Sequence, residues 1–223
     1  GNIVGVGNIN STNISTKPLI NNGHIAGNTS LQKITLNGYV KGVGTFDNVT
    51  TTGTFSPGLS PAIVSTTNLT VGSTGTLLME LGGTTAGSGY DQLQDAGTLT
   101  VDGILQIALI NGFAPAAGQS FDLLNWSSLS GTFSTLDLPT LAGGLSWNTS
   151  QLYTTGVLSV VGAGLAGDYN NNGVVDAADY VLWRENPSGY GGSPAGYNTW
   201  RANFGQTAGS GAGSSLDASS TAV

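Results

Sequence analysis

Before residue 168 the apolar positions alternate or run continuously. Helical spacing begins only after it. Leu77, Met79 and Leu81 alternate with Leu78 and Glu80, the period of a strand with one buried face. Residues 104–110 (I-L-Q-I-A-L-I) are apolar on both faces, which predicts a buried central strand. Residues 121–124, 131–138 and 157–161 read as further strands. Turn signals separate them at Gly82-Gly83, Asp102-Gly103, residues 115–118 and Gly143-Gly144.

Upstream, a loose element G-x-[I/V]-x-G recurs at residues 1–5, 23–27 and 38–42, every 15 to 22 residues. Short strands punctuated by Gly and Asn at such intervals suggest the coils of a solenoid. Chance recurrence in a glycine-rich chain is the alternative. Residues 53–61 (G-T-F-S-P-G-L-S-P) break any long strand there.

Past the Gly/Ala linker at 162–167 the pattern changes. Y-x-x-W-R-x-N occurs at 180–186 and again at 197–203, so two helices related by duplication are expected. Pro187 ends the first and Gly205 caps the second. Trp183 and Trp200 occupy equivalent helix positions and are expected to pack together. These patterns predict a mainly β chain. Residues 1–161 form a β-helix or solenoid-like domain, with a β-sandwich as the alternative. A linker (162–167), a small α-helical module (168–206) and a flexible Gly/Ser-rich tail (207–223) follow.

Residues 168–179 (D-Y-N-N-N-G-V-V-D-A-A-D) carry the chemistry. Oxygen-bearing side chains fall at loop positions 1, 3, 5, 9 and 12: Asp168, Asn170, Asn172, Asp176 and Asp179. Position 7 offers the Val174 carbonyl, and Gly173 stands at position 6, where the loop must turn sharply. A hard cation that takes six to eight oxygens fits this spacing, so Ca²⁺ is the expected cofactor. An Asn/Asp/Gly-rich turn without metal is the alternative.

Composition narrows the function. Of 223 residues 36 are Gly and only 8% are charged, which disfavours helices and suits many short strands. Five Lys and Arg against a net charge of −7 cannot track phosphates, so nucleic acid is not an expected partner. With no cysteine, thiolate chemistry and disulfides are excluded. No apolar run is long enough for a transmembrane helix. A start at Gly1 reads as a processed or trimmed product.

No enzyme is expected. His24 is the single histidine and reads as an exposed strand residue. Asp91 and Asp95 are the closest carboxylate pair outside the loop. Four residues apart on a strand they would stand about 13 Å apart, too far for glycoside hydrolysis. Trp126, Trp147, Tyr90 and Tyr153 offer surfaces on which sugars stack, or serve the β core.

The stretch G-D-Y-N-N-N-G-V-V-D-A-A-D-Y-V-L-W-R-E-N at 167–186 resembles a type I dockerin repeat. It is most similar to the dockerin-like tails of planctomycete secreted proteins, in which Y-x-x-W-R-x-N-F-G also recurs. The resemblance spans 167–206 and implies a dockerin-like module with an EF-hand-type loop. It also implies Asp168, Asn170, Asn172, Asp176 and Asp179 as calcium ligands, and secretion. The family usually has two calcium loops. Here Pro187, Gly189, Ser193 and Gly196 stand where a second would be, so one calcium is expected. Cohesin-binding members place Ser or Thr at loop positions 10 and 11, where this chain has Ala177 and Ala178, so cohesin is a doubtful partner. Residues 38–161 are more weakly similar to passenger regions of autotransporter-type surface proteins, which implies a β-helix.

The leading expectation is a calcium-binding extracellular structural protein that self-associates into a filament or surface layer. The alternatives are a monomeric cell-surface adhesin or carbohydrate-binding protein with an extracellular glycan as ligand, or a cohesin-type scaffold partner.

Overall fold

The computed structural model describes residues 1–11, 17–142, 145–162 and 164–207. The expected turn at Gly143-Gly144 and the tail beyond Thr207 lie outside the described residues, as does Ala163 of the expected linker. Strands hold 44% of the described residues and helix 11%, so the protein is mainly β. It divides into two compact units. The first comprises Gly1–Pro115, Gln119–Thr140 and Trp147–Ser159; the second comprises Ala116–Gly118, Leu141–Ser146 and the chain from Val160 onward.

In the first unit the chain winds repeatedly past the same three ladders. Its first winding carries β1 (Asn2–Gly5), β2 (Gly7–Asn10) and β3 (Leu19–Ile20). The second carries β4 (His24–Gly27), β5 (Ile34–Asn37) and β6 (Tyr39–Gly42). The third carries β7 (Thr45–Asp47), β8 (Val49–Thr51) and β9 (Thr54–Pro57), and the fourth β10 (Ile63–Thr67), β11 (Thr70–Val71) and β12 (Thr76–Leu81). The fifth contributes β13 (Gln92–Val101) and β14 (Ile104–Leu109). β15 (Ser120–Asp122) precedes the last winding, β16 (Leu124–Gly131) and β17 (Thr135–Asp137). β18 (Ser146–Asn148) and β19 (Val157–Val161) follow, and β15 pairs antiparallel with β19.

Strands of successive windings pair in parallel. Partners lie from 15 residues apart (Ile34 with Val49) to 31 apart (Leu93 with Leu124). Inward positions alternate along each strand and stack from winding to winding. Val40, Phe55, Leu77 and Leu105 form one such fully buried row, and Phe46 meets Phe55 edge-on at 4.8 Å.

The glycine repeat marks two different places in the winding. β1 and β4 pair with Gly5 opposite Gly27, whereas the copy at 38–42 contains β6, in a different ladder. The motif encodes a short strand ended by glycine, and more than one side of the winding needs that. At Gly42 the need is steric: a Cβ would lie 1.9 Å from the Asn21 carbonyl oxygen of the winding before.

Corners are built from polar side chains. Asn48 and Asn68 take φ of +52° and +57°, a left-handed conformation that Asn tolerates better than most residues. Their amides stack. Asn68 Nδ2 donates to Asn48 Oδ1 at 2.9 Å, and Asn48 Nδ2 donates to the Gly27 carbonyl at 3.2 Å.

In the fifth winding β13 runs straight through this corner, with a register shift between Asp95 and Thr98. Asp95, 3% exposed, accepts from the Thr66 hydroxyl and from the backbone amides of Asn68, Leu69 and Gly97. Asp91 is likewise buried and accepts from the amides of Ala62 and Glu80. The two carboxylates are brackets for backbone donors.

Burial pushes the Asp91 carboxyl up to about 7, against the pull of those two donors. The folded value thus lies above the unfolded one. This group's contribution to stability is complete below about pH 4, declines as pH rises to about 7, and is level beyond. The whole change is at most about 4 kcal/mol. Denaturant midpoints across that range should show the decline, and Asp91→Asn should remove it. The same decline in the variant would assign it to another group.

Candidate metal centre

The second unit contains α1 (Ala177–Glu185) and α2 (Ala195–Asn203), with a single 3₁₀ turn at Pro187–Tyr190 between them. Pro187 ends the first helix as expected, and Gly205, at φ +87°, follows the second. The aromatic residues pack crosswise. Tyr180 stacks on Trp200 at 5.0 Å and Trp183 on Tyr197 at 5.4 Å. Each tryptophan thus meets the tyrosine of the other copy, and the expected Trp183–Trp200 pair is not among the ring contacts of the described residues. The reason is the spacing: Tyr and Trp three apart share a helix face, so facing antiparallel copies bring Tyr against Trp.

The loop at 168–179 leads into α1. Asp176 is its N-cap and accepts from the Ala178 amide at 2.7 Å. Asp179 closes the capping box by accepting from the Asp176 amide at 2.9 Å. Its other oxygen accepts from Tyr169 and Asn170 amides at 2.7 and 3.0 Å, so one carboxylate joins the start of the loop to its end. Asp168 accepts from Asn172 and Gly173 amides. Asn170 accepts from the Asn172 amide and Asn172 from that of Val174. The chain turns at Asn171 (φ +56°) and Gly173 (φ +82°).

Two anchors hold this loop. Val175 is fully buried and exchanges backbone hydrogen bonds with Gly205 and Gln206. Trp200 Nε1 donates to the Asp176 carbonyl at 2.7 Å. The indole therefore ties α2 directly to the loop.

Asp168 is 5% exposed and Asp179 fully buried. Burial raises the Asp168 carboxyl above the ordinary range, and the Asp179 charge pushes the same way, opposed by the loop amides. Among the described residues no Lys or Arg pairs with either carboxylate; the sole ion pair is His24 with Asp47 at 2.6 Å. Each loop side chain spends part of its acceptor capacity on a backbone amide, and a carboxylate oxygen has a further lone pair to offer.

No group of three His, Cys, Asp or Glu side chains among the described residues is gathered closely enough to hold a metal. The loop's third acid, Asp176, is turned onto its own helix. Asp168, Asn170, Asn172 and Asp179 each accept from loop amides, and Asp176 accepts from the Ala178 amide of its own helix.

Other sequence candidates are structural. His24 bonds to Asp47 across adjacent strands. Tyr90 and Trp147 pack on Phe121 at 5.5 and 6.2 Å, and Tyr153 lies against Phe133 and accepts its amide hydrogen. Trp126, half-buried like Trp147 and Tyr153, lines an open groove instead. No helix of the described residues is long and apolar enough to cross a membrane. No family model, curated protein or solved structure matches this chain.

Proposed function

We propose that the chain is a calcium-binding extracellular structural protein, with a dockerin-like module at 168–206 that one Ca²⁺ stabilises and a β-solenoid that assembles into a filament or surface layer. The observation that carries the calcium reading is the pair Asp168 and Asp179: two buried carboxylates of like charge that pair with no Lys or Arg among the described residues. Buried like charges oppose folding unless neutralised, and a divalent cation does so while filling the remaining lone pairs.

Parallel ladders between successive windings favour the solenoid over the sandwich, whose sheets are antiparallel. The assembly reading rests on the first winding. There Ile3, Val4 and Val6 are 47%, 65% and 60% exposed, a row of apolar side chains that another copy could cover. A head-to-tail contact between copies propagates rather than closing.

Calorimetry should find one Ca²⁺ site; two sites or none would sink the assignment. Arg184 and Arg201 lie exposed on the two helices, and residues 42–183 contain no Lys or Arg. Trypsin should therefore cut at these two arginines much faster in chelator than in calcium. Equal rates would disconnect the loop from helix order. Negative-stain images with calcium should show fibres or sheets that shorten on chelation. Monodisperse particles under both conditions would leave a monomeric adhesin.

A further inference from the structure

On the first unit, the outward positions of β7, β10, β13 and β16 line a shallow groove of about 720 Å³. Parallel pairing puts Ser65, Gln94 and Asn125 in one row, on strands about 4.8 Å apart. Gln94 and Ser65 are exposed, and Trp126 lies half-buried beside the row. No Lys or Arg lines the groove.

The polar side chains are linked to one another. Gln94 Nε2 donates to Gln92 Oε1 at 3.0 Å, Gln92 Nε2 donates to the Asp122 carboxylate at 3.1 Å, and Asn125 Nδ2 donates to that carboxylate at 3.2 Å. The chain of bonds holds three amides and a carboxylate in place before any ligand arrives, which lowers the entropic cost of binding.

We propose that this groove binds a neutral, extended oligosaccharide. Amides both donate and accept, as vicinal hydroxyls require, and carboxylates accept from hydroxyls. An indole offers an apolar face against which a pyranose ring packs. Rungs repeating at one strand spacing present a polar side chain, Ser65, Gln94 and Asn125 in turn, to successive sugar units of a chain lying across the strands. The lining holds the Asp122 carboxylate and no Lys or Arg to meet an acidic sugar, which disfavours acidic polysaccharides. All of its lining residues belong to the first unit.

The test is calorimetry and tryptophan fluorescence with cellohexaose, xylohexaose and mannohexaose, and with hexagalacturonate as the anionic comparison. At least one neutral hexasaccharide should bind and quench fluorescence, equally in calcium and in chelator, and hexagalacturonate should not. Gln94→Ala removes an exposed amide, and Ser65→Arg places a long side chain across the groove. Each should weaken binding by about tenfold or more at an unchanged Tm. The proposal is overturned if none of the three neutral sugars binds at millimolar concentration, if hexagalacturonate binds as well as they do, or if binding survives both substitutions.

Discussion

Asp179→Ala is expected to abolish calcium binding and to melt the two-helix unit even in saturating calcium. Three backbone amides, those of Tyr169, Asn170 and Asp176, lose their acceptor at once. Each buried donor left unpaired costs about 1–3 kcal/mol, so the sum rivals the stability of a small unit. The unit has little to offset it: its helices bury no large apolar side chain fully, and its aromatic residues stay half-exposed. Asp168→Asn separates the two roles. The amide keeps one acceptor oxygen, turns an NH2 toward one of the two loop amides, and gives up a charge. Calcium affinity should fall by about a hundredfold, while helix content returns at high calcium. Far-UV circular dichroism with calorimetry reads both. Ordinary one-site binding by Asp179→Ala would remove that residue from the centre.

Asp95→Ala carries the largest expected effect in the first unit. The Thr66 hydroxyl and the amides of Asn68, Leu69 and Gly97 all converge on this carboxylate at a buried corner. Their loss should cost more than about 4 kcal/mol, with aggregation or failure to fold as the practical result. Asp95→Asn keeps one acceptor and points an amide at existing donors, so it should fall between. Thermal unfolding of the three proteins checks the order. A Tm within a few degrees of the parent for Asp95→Ala would mean that water replaces the carboxylate at the corner.

The sequence shows that second prediction poorly and the first one well. In the loop, oxygen spacing and glycine coincide with a backbone turn at Asn171 and Gly173, so the amide acceptors among the expected ligands Asp168, Asn170, Asn172, Asp176 and Asp179 are close in sequence to the donors they meet. The capping use of Asp176 is legible too, since an acid three residues before another at a helix start reads as a capping box. Asp91 and Asp95 look in the sequence like a spaced acidic pair. Their work as acceptors depends on amides 11 to 29 residues away, which spacing along one strand cannot reveal.

Strand legibility follows the same division. β12, β14 and β19 stand out because their inward residues are apolar. β13, the longest strand described, is missed because Asp95 points a polar group inward, Gln92 and Gln94 face outward on either side of Leu93, and Gly97 sits at the register shift. The expected strand at 121–124 is two strands parted at Leu123, and that at 131–138 shrinks to β17. In each case a corner of the winding falls inside an apolar run. The partner copies of the glycine repeat are visible in sequence, but which ladder each joins is not.

The stacked windings also have a mechanical side. Their ladder hydrogen bonds point from one winding to the next, so tension along the stacking direction stretches few of them at a time. Force then peels windings singly, as a zipper opens, instead of shearing whole sheets. A winding of about 20 residues that lets go releases roughly 70 Å of chain. The remaining windings keep their own buried rows, because each pairs its strands only with the winding before and the winding after, while Lys33 Nζ, which donates to the Asn68 carbonyl two windings on, adds one tie that skips a winding. A protein held at both ends would lengthen in steps and rewind when the load falls, a spring whose travel is set by the number of windings.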